Sequence, residues 1–174
     1  MSPASTAVLR SDRLALTPLR SADAAEMVPV LSDRDLYSFT GGGPPSLADL
    51  EAQYEFQVAG PSSGDEAWHN WIIRPHDTGK AVGFVQATVT GSSSDVAWVV
   101  GVEWQGRGFA SEAAGAVCEW LAAQGVGTIT AHIHPGHLAS QRVAASLGMH
   151  ATGEIDGEGE VVWVSTTQPG KVSP

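Results

Sequence analysis

Apolar and polar residues alternate from Leu14 to Leu19, the period-two pattern of a half-buried strand. From Ser21 to Leu31 the apolar spacing changes to a helical one behind a serine suited to capping, and Pro29 interrupts its second half. The breaker GGGPP, Gly41 to Pro45, follows, and Ser46 then caps a second helical stretch to about Val58. Trp68 to Arg74 and Lys80 to Val89 flank the turn PHDTG and predict a hairpin, and GSSS leads into a third strand of this meander, Asp95 to Val102. Beyond it the pattern predicts a helix from about Phe109 to Gln124, a strand Thr128 to His134, a helix from about Leu138 to Leu147 closed by Gly148, and two strands around DGEG. The sum is an α/β (α+β) chain with about seven strands.

Composition narrows what such a fold does. With 174 residues, 43% of them hydrophobic, the chain is expected to form one domain over 1–174, with QPGKVSP at 168–174 as a flexible tail. Nine Lys+Arg against 19 Asp+Glu leave a net charge of −10, so the basic footprint of a nucleic-acid partner is missing. Cys118 is alone, the first residues lack the apolar core of a secretory signal, and no run approaches the roughly 20 apolar residues of a membrane span. A cytoplasmic protein without membrane attachment is the expectation, and a homodimer is compatible with it.

WQGRGFASEA, Trp104 to Ala113, carries the first chemistry. Gly106 and Gly108 cost folding entropy, and they stand between a strand and the start of a helix, where unpaired amides and the helix dipole favour an anion such as phosphate. A tight strand-to-helix turn would use the same glycines. The P-loop pattern is absent, and a dinucleotide fingerprint would need a third glycine where Ser111 stands and an acid near the end of the next strand, which ends in histidines instead. His132, His134 and His137 form HxHxxH, but no carboxylate lies adjacent in sequence to organise a zinc site, so no metal is expected.

Gln105, Gly106, Arg107, Gly108, Phe109 and Ala110 resemble the pyrophosphate loop Q/R-x-x-G-x-G/A of the GNAT acyl-CoA-dependent N-acetyltransferases. HPGHLASQRVAASLGM, His134 to Met149, resembles that superfamily's second cofactor segment, and LRSDRLALTPLRSADA resembles the opening of its ribosomal-protein N-terminal (RimJ/RimL-type) branch. The resemblance implies a mixed, mostly antiparallel sheet flanked by helices, and acetyl-CoA as co-substrate. It assigns Gln105 to Ser111 to the pyrophosphate, Arg107 adding charge, and Val100, Gly101 and Val102 to backbone pairing with the pantetheine. His137 replaces an asparagine of the pattern, and Ser140 matches its serine, so both are cofactor contacts by this reading.

For catalysis the resemblance implies direct attack of a primary amine on the thioester. Asp95 falls where relatives carry a carboxylate and is the expected proton acceptor, although Asp after GSSS also suits a turn. His134 and His137 are the alternatives, Ser140 completes the candidate catalytic set, and His132 reads more readily as structural. Ala144 stands where the family has an acid tyrosine, which leaves the proton donor open and keeps a noncatalytic acyl-CoA sensor as the rival. Trp68, Trp71 and Trp98 fall on strands that could flank the acceptor cleft, although ordinary core and sheet packing explains each more readily, and the resemblance puts the acids Glu154, Asp156, Glu158 and Glu160 near its entrance, where a solvated turn would also account for them. Peptide N-termini and small cationic amines both fit.

Overall fold

A computed structural model describes residues 5–166; the tail expected at 168–174 lies outside them. Eight strands form one sheet in the order β1-β2-β3-β4-β5-β6-β8-β7. The first five are consecutive neighbours: β1 (Leu9–Arg10), β2 (Leu14–Pro18), β3 (Glu66–Pro75), β4 (Gly83–Thr90) and β5 (Ser93–Val100), all antiparallel. Short turns suffice for such a meander. β6 (Thr128–Ile133) joins β5 in parallel, which requires the crossover that α3 (Phe109–Ala123) supplies. β7 (His150–Ile155) and β8 (Val161–Thr166) complete the sheet, with β8 antiparallel to both β6 and β7.

Helices cover both faces. α3 buries Phe109, Ala113, Val117 and Leu121, one residue per turn, against Val85, Val96, Val100 and Ile129. α4 (Leu138–Ser146) adds the fully buried Ala144 to the same core. On the other face α1 (Ala24–Val30) and α2 (Leu47–Ala59) set Met27, Leu50 and Tyr54 against Ile72. Each fully buried aliphatic side chain contributes roughly 1.5–3 kcal/mol. No helix among the described residues is long and apolar enough to cross a membrane.

Local chemistry explains where the elements depart from expectation. The eighth strand is β1, whose two residues are too few to show a period. The first helical segment is capped by a side chain of its own first turn: Asp23 Oδ2 accepts the Arg20 N–H at 2.9 Å, so Ser21 is not the cap. Pro29 is tolerated because α1 ends one residue later. The turn before β5 uses only Gly91, at φ 61°, and Ser92; Ser93 and Ser94 enter the ladder opposite Thr90 and Val89. Asp95 is therefore a strand residue, not a turn residue. At the far end Val102 leaves the strand for a short helical turn, Val102–Trp104.

Candidate active site

β5 and β6 are in register only from Ser93 to Asp95, opposite Thr128 to Thr130. Beyond that β5 follows β4 and β6 follows β8, so the two strands part and open the sheet. Gly101 donates to Val82 O at 2.8 Å on one edge of the β5 chain, and Ser92 O accepts from Thr128 N–H at 3.2 Å on the other. The alternation of an antiparallel ladder then turns the main-chain groups of Val96, Trp98 and Val100 toward the opening. Gln105 Nε2 donates to Val100 O at 2.9 Å, which ties the following loop to the strand end. Gly101 is required because a Cβ there would lie 2.9 Å from the Trp104 ring.

A cavity of about 1000 Å³ runs through this opening. Gln105, Gly106, Gly108, Phe109, Ala110 and Ser111 line one end, with Val100 and Val102 beside them. Gly106 and Gly108 have φ of 77° and 79°, left-handed values that favour glycine, and a Cβ on Gly106 would meet nothing within 4 Å. The Glu112 N–H closes on Gly108 O at 3.1 Å. The amides of Phe109, Ala110 and Ser111 precede it and have no partner within α3, so the cavity end carries unpaired donors and a positive helix pole.

Arg107 is placed differently from expectation. Gly101 and Arg107 are not cavity-lining residues, and the Arg107 carbonyl accepts from Arg13 Nη1 at 2.8 Å. Arg13 Nε meets Glu112 Oε2 at 2.7 Å, while Ser11 Oγ and the Arg13 N–H donate to Glu112 Oε1 at 2.6 and 2.8 Å. Burial alone would raise the Glu112 carboxyl, but these bonds outweigh it and hold the group below its ordinary value. The Arg13 guanidinium also lies 4.9 Å from the centre of the Phe109 ring.

His134, His137 and Ser140 also line the cavity. His134 Nδ1 accepts the Gly136 N–H at 2.9 Å, so in the neutral ring the proton sits on Nε2. His137 Nε2 is 3.3 Å from Ser140 Oγ. Phe39, from the segment between α1 and α2, stacks on His137 with ring centres 4.6 Å apart and tilts over His134 at 5.1 Å. Burial, reinforced by the charge of His134, lowers the His137 pKa.

Asp95 lies outside the cavity wall. Its carboxylate accepts from Thr130 Oγ1 and lies 3.6 Å from His132 Nε2, while His132 Nδ1 bonds Asp156 Oδ2 at 2.8 Å. His132 and Glu160 do line the cavity, which brings an imidazole held between two carboxylates to its wall. Burial works against protonation of His132, but the Asp156 bond and the charges of Asp95, Asp156 and Glu160 prevail and raise its pKa. Burial, then Asp156 and Glu158, raises Glu160. The three histidines do not converge: among the described residues no group of three or more His, Cys, Asp or Glu could hold a metal. Trp71 and Trp98 line the cavity, as does Trp104, whereas Trp68 lies outside it, tilted against Phe56 with ring centres 5.2 Å apart.

Sequence reasoning missed Arg13, Phe39 and Arg142, the last a cation on α4 in the cavity wall. No local pattern points to Arg13 or Phe39, since each gains its place from contacts about a hundred residues away. Arg142 follows the motif serine by two positions and was open to notice.

The model of the acetyltransferase (GNAT) domain matches residues 13–150. No curated protein matches the chain in sequence. Among solved structures, a GNAT-family acetyltransferase from Bacillus anthracis superposes with a TM-score of 0.78 at 19% identity, covering 92% of this chain and 98% of that one. A protein assigned as a ribosomal-protein-serine acetyltransferase from Vibrio cholerae gives 0.77 at 14% identity, with coverage of 92% and 98%. The enzyme AAC(6')-Ib in complex with ribostamycin and coenzyme A gives 0.76 at 21%, covering 91% and 96%. These likenesses establish the fold, and the family match over residues 13–150 establishes kinship: the chain belongs to the GNAT acetyltransferases, whose acetyl donor is acetyl-CoA.

Proposed function

We propose that the protein transfers the acetyl group of acetyl-CoA to a primary amine by direct attack inside this cavity. The observation that carries the reading is the parting of β5 from β6 beside the unpaired amides of the α3 N-terminus. Inward-facing main-chain groups of Trp98 and Val100 pair with an amide-bearing pantetheine arm, and the loop from Gln105 to Ser111 receives the pyrophosphate. Arg142 in the cavity wall supplies charge to it, and Arg107 within the loop is the other cation available.

The reaction needs an acceptor for the ammonium proton, donors for the thioester oxygen and a proton for the leaving thiolate. His132 is the acceptor in this account. It faces the cavity, Asp95 and Asp156 hold its ring, and its pKa is raised from 6.5 toward the range where a general base works best. Asp95 acts through His132. The freed amine attacks the carbonyl carbon, the C–N bond forms and the C–S bond breaks. His134, whose Nδ1 is occupied by Gly136, presents Nε2–H as a hydrogen-bond donor to the oxygen or the thiolate, and the thiolate takes the second proton lost by the attacking amine; Ala144 is fully buried and offers no donor. Ser140 and His137 orient the cofactor beside it.

The acceptor is a peptide N-terminus or a small cationic amine. Glu160 in the wall and the acidic β7–β8 turn support a cationic nucleophile, and the complexes of AAC(6')-Ib with aminoglycosides show a like fold serving such an amine. A cytoplasmic setting belongs to the same reading. Coenzyme A release measured with a panel of amines, set beside calorimetric binding of acetyl-CoA, tests it: binding without release from any amine would contradict transfer.

A further inference from the structure

Tyr54 on α2 is buried to 4% exposure, yet its hydroxyl has no hydrogen-bond partner, and the same holds for the buried Oε1 of Gln57, three residues on. Both residues line the cavity. A buried polar atom left unpaired is destabilising, so two on one helix face call for an explanation. Their surroundings supply one. Gln53 lies one turn before Gln57, and across from α2 the sheet presents Asn70 on β3 beside Gln86 on β4, which are direct cross-strand partners. All four side-chain amides line the cavity, and none makes a side-chain hydrogen bond among the described residues.

This wall is chemically distinct from the rest of the cavity. The carboxylates lie elsewhere, Glu160 at the start of β8 and Asp35 in the turn Arg34–Tyr37, and the cofactor end is built from glycines and helix amides. A carboxamide offers both a donor and an acceptor without charge, and a tyrosine hydroxyl does the same. Such a set complements neither a lone ammonium group nor an alkyl chain. It complements a neutral group that itself both donates and accepts: a hydroxyl or an amide.

We propose that Gln53, Tyr54, Gln57, Asn70 and Gln86 form an acceptor subsite that selects amines carrying uncharged hydroxyl or amide groups. The inference rests on the acetyl-transfer reading and adds the class of the non-reacting part of the acceptor. Polar groups of the acceptor pair with these side chains, and an alkyl acceptor leaves the Tyr54 hydroxyl and the Gln57 Oε1 as unpaired as they are in the free protein. A site built on hydrogen bonds rejects an analogue lacking them far more strongly than an apolar pocket rejects an added hydroxyl.

The test compares glucosamine, an alanine-alanine dipeptide amide and hexylamine in wild type, Tyr54→Phe and Gln57→Leu. Binding of each to the protein saturated with coenzyme A is measured by calorimetry, and KM and kcat are measured by coenzyme A release. The two polar probes are expected to bind wild type at least about tenfold more tightly than hexylamine, and each variant to shrink that margin about tenfold through KM with kcat retained. Whichever polar probe loses more identifies the hydroxyl or the amide as the natural group. Tyr54→Phe is also expected to raise the melting temperature of the free protein, because it removes an unpaired buried hydroxyl. Tighter binding of hexylamine, equal losses for all three probes, or a lowered melting temperature in Tyr54→Phe would overturn the proposal. Selective binding without coenzyme A release would instead overturn the transfer reading and leave the subsite standing.

Discussion

Arg13 and Glu112 lie 99 residues apart in sequence and meet at 2.7 Å, and the same guanidinium donates to the carbonyl of Arg107. A residue just before the second strand thus pins both the first turn of α3 and the loop that precedes it. The loop amides can then meet a diphosphate without first giving up conformational freedom. Removing the guanidinium also leaves the Glu112 charge uncompensated beside an anion site. Arg13→Gln is expected to raise KM for acetyl-CoA about tenfold with kcat within about twofold. Glu112→Gln in the same background should add little, because the two side chains act as one unit. An unchanged KM in folded Arg13→Gln would make the pair a purely structural strap.

Gly108 has a φ of 79°, and a Cβ there would approach Arg13 Nη2 to 3.3 Å. A β-branched residue in this region costs on the order of 1–3 kcal/mol of backbone strain and displaces both loop and clamp. Gly108→Val is therefore expected to weaken acetyl-CoA binding by at least about tenfold. Calorimetry on folded variant protein checks this, and unchanged affinity would remove the loop from the cofactor site.

Much of this site was legible in the sequence because its signals are local. QGRGFA declares itself by two glycines between a strand and a helix, and Ser46, Gly91 and Gly148 each punctuate an element through their own backbone chemistry. The parting of β5 and β6 was not legible. It depends on which neighbour each strand follows after Asp95 and Thr130, and neither run of side chains records that choice. The place of His132 in the cavity wall was not legible for a related reason. Asp95 carries the expected carboxylate, but the hairpin after Ile155 brings Asp156 to His132, a contact across 24 positions that turns a structural-looking histidine into the group facing the cavity.

The pH dependence of stability follows from His132. Its pKa is raised in the folded protein, so its stabilising contribution is complete below about 6.5 and fades as pH rises through the folded value. The melting-temperature difference between wild type and His132→Gln should be largest near pH 5.5 and vanish by about pH 9. In an Asp156→Asn background the difference should become smaller at the acid end. A difference that grew with pH would show that His132 is held neutral instead.

Rate should depend on pH in the opposite sense, because the base must be unprotonated to act. Activity is expected to rise with pH through the raised pKa of His132, and His132→Gln to lower kcat by about 10²-fold with acetyl-CoA affinity intact. Asp95→Asn removes one of the charges that raise that pKa, so the acid limb of its profile should move to lower pH. High pH should return part of the lost rate in His132→Gln by deprotonating the amine in solution. An Asp95→Asn profile with an unmoved limb would separate Asp95 from the proton path.

Transfer of acetyl from acetyl-CoA to a primary amine bound at this opening in the sheet is read directly by mass spectrometry of a mixed amine and peptide library incubated with acetyl-CoA. One added acetyl group is expected on the nitrogen of a primary amine, matched mole for mole by free coenzyme A, with both formed more slowly in His132→Gln and, at subsaturating acetyl-CoA, in Gly108→Val. Wild-type protein that binds acetyl-CoA but leaves every amine unmodified, or releases coenzyme A only by hydrolysis, would contradict it.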